Sequence, residues 1–222
     1  MLNSDPPRPD FTAPLPIFPD VLVESVVDRI PVRERSIAVV DGADAADPVE
    51  FAHRVSRRVQ STGRACDVID LHDFVRPASL RFEYSHTDEL SYRTAWFDFN
   101  AVHREIVSPL ASNGRGSYLP RLWDEAADRS ARAKLVVAAS DQVLIIAGPM
   151  MLGRIADPSA VVHLQLSPGA LRRQTRGDQH WTIEPLLRFY EEYSDAREGP
   201  EPDFTVRWDH PERPAILPRS RT

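Results

Sequence analysis

Ser36-Ile-Ala-Val-Val-Asp-Gly-Ala-Asp-Ala-Ala-Asp-Pro-Val-Glu-Phe-Ala52 passes from an apolar run into an amphipathic one within a few residues. Ser36 to Val40 reads as a buried strand, followed by Asp41-Gly42. From Pro48 to Ser61 the pattern changes to a helix, with Val49, Ala52, Val55 and Val59 on one face and arginines opposite. Asp47 is placed to cap that helix, Glu50 follows three residues on, and proline suits the first helical position. Thr62-Gly63 stops it, and Ala65 to Leu71 reads as a second strand. Strand, helix and strand within about 35 residues make a βαβ unit, which builds a parallel sheet.

Outward from this unit the pattern continues. A short helix is expected from Val21 to Ile30, ended by Pro31, and another from Phe99 to Leu110. Lys134 to Ala139 reads as a short strand. Val143 to Ala147 is the strongest strand signal in the chain and suits the centre of a parallel sheet. Val161 to Leu166 is a further strand, followed by helices over Pro168 to Arg176 and Glu184 to Arg197. The expected class is α/β, with a mainly parallel central sheet and helices on both faces. Prolines crowd both ends, so residues 1–20 read as an extended arm, 21–198 as the domain and 199–222 as a tail. Phe11, Leu15, Ile17 and Phe18 give the arm apolar side chains with which to dock on the domain or on a second subunit.

Composition narrows the chemistry. The 222 residues carry a net charge of −6, which argues against a general nucleic-acid binder. No apolar run is long enough to cross a bilayer. The first residues, MLNSDPPRPDF, lack the features of a signal peptide, so a cytoplasmic address is expected. One cysteine, Cys66, excludes an internal disulfide and any cysteine-rich metal site. The seven histidines are scattered without metal-ligand spacing, so no metal site is expected. Lys134 is the only lysine, and any other site that needs one must do without.

In order and spacing the segments resemble the uridine kinase branch of the P-loop nucleoside kinases, especially its short actinobacterial members. The segments that carry the resemblance are Ile37 to Gly42 leading into Phe51-Ala52, Asp70 to Pro77, Phe97-Asp98-Phe99, Val143 to Gly148, and the arginine-bearing helix at Leu171 to Arg176. The resemblance implies a P-loop NTPase-like three-layer fold and a reaction that moves the γ-phosphate of ATP or GTP to a nucleoside hydroxyl. Its phosphate loop reads roughly DGxxGxGKTTFA, in which backbone N–H groups and a lysine hold phosphates and a hydroxyl binds Mg²⁺. Here the stretch is Asp41 to Ala52. Gly42 remains, Ala45 and Asp47 replace later glycines, Pro48 stands for the lysine, and Val49 for the hydroxyl.

The other positions implied by the resemblance can be followed residue by residue. His72 stands where the family has its aspartate general base, with Asp73 next to it as a substitute. Ala147 stands where an acid before glycine organises Mg²⁺. Arg172, Arg173 and Arg176 match the lid arginines that contact nucleotide phosphates. Asp98 matches the nucleoside-pocket segment, with Tyr92 and Trp96 placed to stack on a base. Bland alternatives stand beside each: a capped structural helix, a polar pair at a strand end, a solvated arginine face and core aromatics.

Losses of the lysine, the Mg²⁺ hydroxyl and the acid all point the same way. The expectation is a degenerate kinase-like protein, with no cofactor, that binds a ligand, a partner protein or a second copy of itself. The alternative is an atypical nucleoside or nucleotide kinase. It would use ATP or GTP with Mg²⁺, phosphate contacts from the arginines, and His72 or Asp73 as base.

Overall fold

Strand β1 (Ser36–Gly42) is buried along nearly its whole length, as its unbroken apolar run requires. In the computed structural model, which describes residues 13–196 and 200–218, it lies at the middle of the parallel sheet. β2 (Cys66–Asp70), β3 (Val143–Gly148), β4 (Ala160–Gln165) and β5 (Phe204–Arg207) complete that sheet in the order β2-β3-β1-β4-β5. Leu144, Ile145 and Ile146 of β3 are fully buried between β2 and β1, which places the strongest apolar run where both its faces are covered.

Helix α2 (Pro48–Gln60) covers one face through Phe51, Ala52, Val55 and Val59, and α1 (Pro19–Val27) packs behind it through Leu22, Val23 and Val26. On the other face lie α3 (Pro168–Gln174) and α4 (Ile183–Ala196), the latter laying the Tyr190 ring against that of His163 at 4.7 Å. The architecture is therefore the three-layer α/β arrangement with helices on both faces.

Four elements differ from the sequence reading. α1 begins at Pro19 rather than Val21 and ends at Val27, three residues short of Ile30. Residues 99–110 form one helical stretch, but His103–Val107 is wound as a π-helix. Pro109 has no N–H to return to the Glu105 carbonyl, and that carbonyl accepts the Leu119 N–H instead, at 3.2 Å. Of the strand expected over Lys134 to Ala139, only Val136–Val137 forms. It pairs with Ser117–Tyr118 in a separate two-stranded sheet, with Val137 82% exposed.

The fourth difference is at the ends. The boundary at 198 sets the tail apart, yet β5 and Ala215–Ile216 from that tail join the main sheet, with Val206 and Trp208 buried. Leu15–Pro16 of the arm pairs antiparallel with Ala215–Ile216. Ile17 packs against the core, whereas Leu15 and Phe18 stay exposed, and Phe11 lies outside the described residues.

Candidate functional site

The loop from β1 to α2 is built around one close approach and one left-handed residue. A Cβ on Gly42 would stand 3.1 Å from Leu164, so β1 and β4 meet tightly there. Asp44–Ala46 then make a single 3₁₀ turn. Asp47 follows at φ 51°, ψ 56°, turning the chain into Pro48. Its Oδ1 accepts the Glu50 N–H at 3.3 Å, so the helix N-terminus carries a carboxylate of its own. Glu50 does not return the bond; its carboxylate pairs with Arg57 at 3.0 Å. Asp44, Asp47 and the facing Gln174, Arg176 and Gln179 border a cleft of about 310 Å³.

At the end of β2, the Asp70 carboxylate accepts the His72 N–H at 2.9 Å and starts a turn that holds His72 and Asp73. The His72 ring lies between two carboxylates: Nδ1 is 2.6 Å from Glu125 and Nε2 is 3.1 Å from Asp44. Burial opposes charge on the ring, but those two carboxylates outweigh it and hold the pKa well above the ordinary histidine value. Asp73 moves for a different reason. Burial raises its carboxyl to about 6, against the pull of Arg121 at 2.6 Å. His72 is thus held against Asp44 of the β1–α2 loop, and Asp73 against Arg121.

Two residues missed in the sequence organise this corner. Glu125 takes His72, the Arg81 guanidinium at 2.7 Å and the Trp96 indole N–H at 3.1 Å. Arg81 is buried at 3% exposure, donates to the Arg76 carbonyl, and stands over the rings of Phe82 and Trp96 at 5.1 and 4.9 Å. Both come from segments without periodicity, so no sequence signal marked them.

The structure places the nucleoside-pocket residues in packing and capping roles. Tyr92 and Trp96 are 3% and 7% exposed, and each meets the Trp181 ring at 5.2 Å. Asp98 caps the helix that follows, accepting the Ala101 N–H at 2.9 Å. The arginines are not gathered. Arg172 pairs with Glu184 and Arg176 with Asp178, while Arg173 makes no ion pair among the described residues. Only Arg176 of the three borders the cleft beside Gly42's loop.

A second pair escaped the sequence reading altogether. Asp41 and His163 are register partners on β1 and β4, and both are buried. His163 Nδ1 is 2.6 Å from Asp41, whose other oxygen accepts the Met151 N–H at 2.6 Å. The signal was present: a carboxylate ending one apolar strand and a histidine inside another. Among the described residues no group of three or more histidines, cysteines and acids is arranged to hold a metal ion. Cys66 is buried, and burial pushes its thiol up to about 11, so it is not a thiolate at neutral pH.

No protein-family model matches the sequence, and no curated protein does. Solved structures do match. A possible uridine kinase from Bacillus stearothermophilus superposes with a TM-score of 0.61 at 15% identity, covering 84% of this chain and 96% of its own. A protein from Silicibacter sp. TM1040, assigned provisionally as a fructose transport system kinase, superposes with a TM-score of 0.62 at 16% identity, covering 85% and 98%. At such identities the likeness speaks for the backbone and its topology. The strand order and the helices on both faces of the sheet give this chain the three-layer kinase fold of those two structures.

Proposed function

We propose that this chain uses the kinase fold for binding, of a ligand or a partner protein, and does not transfer phosphate from ATP or GTP. The observation that carries this reading is the N-terminus of α2. Asp47 fills it with a carboxylate and Pro48 withholds an N–H, where a phosphate would need donors and positive charge. Asp44 adds a second carboxylate at the mouth of the same cleft. Ala147, buried at the end of β3, offers no oxygen to Mg²⁺ or its waters. The residues present therefore do not fit a Mg²⁺–nucleotide, and no catalytic step through one is derived. Loss of a single positioned donor typically costs about 10²–10³ in rate, and here several are missing together.

One observation favours the second reading, an atypical kinase. Asp73 is poised to exchange a proton near neutrality, raised to about 6 by burial, while the carboxylates on either side of His72 hold its ring well above the ordinary value and so toward the protonated form. The test is isothermal titration with ATP and GTP, each with and without Mg²⁺. The binding reading expects flat titrations at millimolar nucleotide. Saturable, Mg²⁺-dependent binding that Arg176→Ala removes would replace it with the kinase reading.

A further inference from the structure

The buried Asp41–His163 pair lies at one wall of a second cleft, of about 260 Å³, between the end of β4 and helices α3 and α4. Its walls are mostly apolar: Leu164, Leu166, Leu171 and Leu187, with the Tyr190 ring beside His163. Glu191 and Ser194 border it from the last turns of α4. A carboxylate removed from water must be matched by donors, and Asp41 is matched twice, by Met151 N–H and by His163 Nδ1. Because Asp41 accepts, Nδ1 carries a hydrogen and points at it, which leaves Nε2 as the ring nitrogen turned away from the pair. Among the described residues Nε2 has no hydrogen-bond partner, and His163 borders the cleft.

We infer that this cleft binds a small aromatic molecule bearing a hydroxyl, with that hydroxyl hydrogen-bonded to His163 Nε2 and the leucines enclosing the ring. Three features choose that class. An apolar cavity of about 150 Å³ already accommodates benzene, while drug-sized sites run to roughly 300–1,000 Å³, so this cleft suits one substituted ring. The leucines and Tyr190 offer apolar and ring-face contact rather than charge. His163 is held rigid by Asp41 at its other ring nitrogen, and a hydroxyl, which both donates and accepts, suits the Nε2 that this leaves beside the cleft. The inference extends the binding reading given above and rests on it only for ligand binding being the work of this fold.

The experiment titrates the full ¹⁵N-labelled chain with p-cresol and, separately, with toluene, which has the same ring and methyl group but no hydroxyl. Long-range ¹H–¹⁵N correlation reads the two nitrogens of the His163 ring. The expected result is saturable p-cresol binding about tenfold tighter than toluene, the gain of one buried hydrogen bond. The Nε2 resonance should move on p-cresol addition while Nδ1 stays protonated. Leu187→Trp, which fills the cleft from its half-buried side, should abolish binding of both and leave the Asp41–His163 signals in place. Equal affinity for the two compounds, a stationary Nε2, or p-cresol binding that survives Leu187→Trp would each overturn the assignment. The nucleotide titration fails separately: Mg²⁺-dependent ATP binding with p-cresol binding intact removes the proposed function and leaves this site standing.

Discussion

Replacing Asp47 by Asn, Gly and Ala separates the two jobs that this residue performs. It holds a left-handed backbone, at φ 51° and ψ 56°, and its carboxylate caps α2 through the Glu50 N–H at 3.3 Å. Asparagine keeps both, since it tolerates that conformation and caps as well, and should lie within about 0.5 kcal/mol of the parent. Glycine loses the cap oxygen at a cost of a few tenths of a kcal/mol, and its freedom at positive φ offsets that loss. Alanine fails on both counts. Losing the cap costs about 1 kcal/mol, and holding a Cβ in the left-handed region adds up to about 1 kcal/mol more. The expected order is Asn and Gly near the parent, with Ala lower by about 2 kcal/mol, or roughly 4–8 °C in Tm for a chain of this size. Urea denaturation at pH 7 reads it, with m required to stay constant across the series. An alanine variant as stable as the glycine variant would refute both the cap and the left-handed geometry on which the proposed function rests.

Other expectations follow from the same geometry. For Asp73, the folded state holds the proton more tightly than the unfolded chain, from an ordinary 3.8 up to about 6. Its contribution is therefore greatest below about pH 4 and is lost as pH rises through 6, by at most about 3 kcal/mol; Asp73→Asn should flatten that part of a stability–pH curve. His72 acts with the same sign: its raised pKa gives stability that is full below about 6.5 and fades as pH climbs through the folded value, and His72→Gln should remove that slope in the same unfolding series. Gly148→Ala would place a Cβ 2.5 Å from the Leu71 Cβ, so a loss of about 1–3 kcal/mol is expected in chemical denaturation. Combined with Leu71→Gly, which removes that Cβ, the total should fall short of the sum of the two single losses. Pro48→Lys with Val49→Thr should give no kinase turnover in a coupled nucleotide assay, because Asp47 and Ala147 remain.

The sheet was legible because its signal is local. Val143 to Ala147 can bury five successive side chains only inside a parallel sheet, and β3 sits between β2 and β1. The helix from Pro48 was equally plain, since its cap, its proline and its apolar face lie within one segment. What the sequence hid depends on distant partners. β5 carries only four residues and reads as tail until Val206 finds its place beside Leu164 of β4. Glu125 and Arg81 look like surface residues; Arg81 is buried and Glu125 half-buried only because His72 and Trp96 arrive from elsewhere to meet them. Tyr92 and Trp96 were marked for the right neighbourhood, but spacing cannot distinguish an aromatic that faces a ligand from one that faces Trp181.

On the binding reading, the positions that depart from the resembled kinase motifs each have a packing or capping role that a catalytic residue would disturb. A larger side chain at Ala147 would press into a fully buried strand end, and Gly148 already meets Leu71. Asp47 cannot release its cap to a phosphate without unpairing the first turn of α2. Glu125 cannot leave its place without taking from the buried Arg81 the closer of its two carboxylate partners, at 2.7 Å against 3.5 Å for Asp128. On the proposed binding reading, no single substitution would confer phosphoryl transfer, because each such change costs stability at a different place. The same argument singles out the Asp41–His163 pair. Its two side chains are fully committed to each other on one side and leave a ring nitrogen beside a cleft on the other. That combination, fixed geometry with one donor or acceptor to spare, is what a binding site requires and what the repacked strand ends have given up.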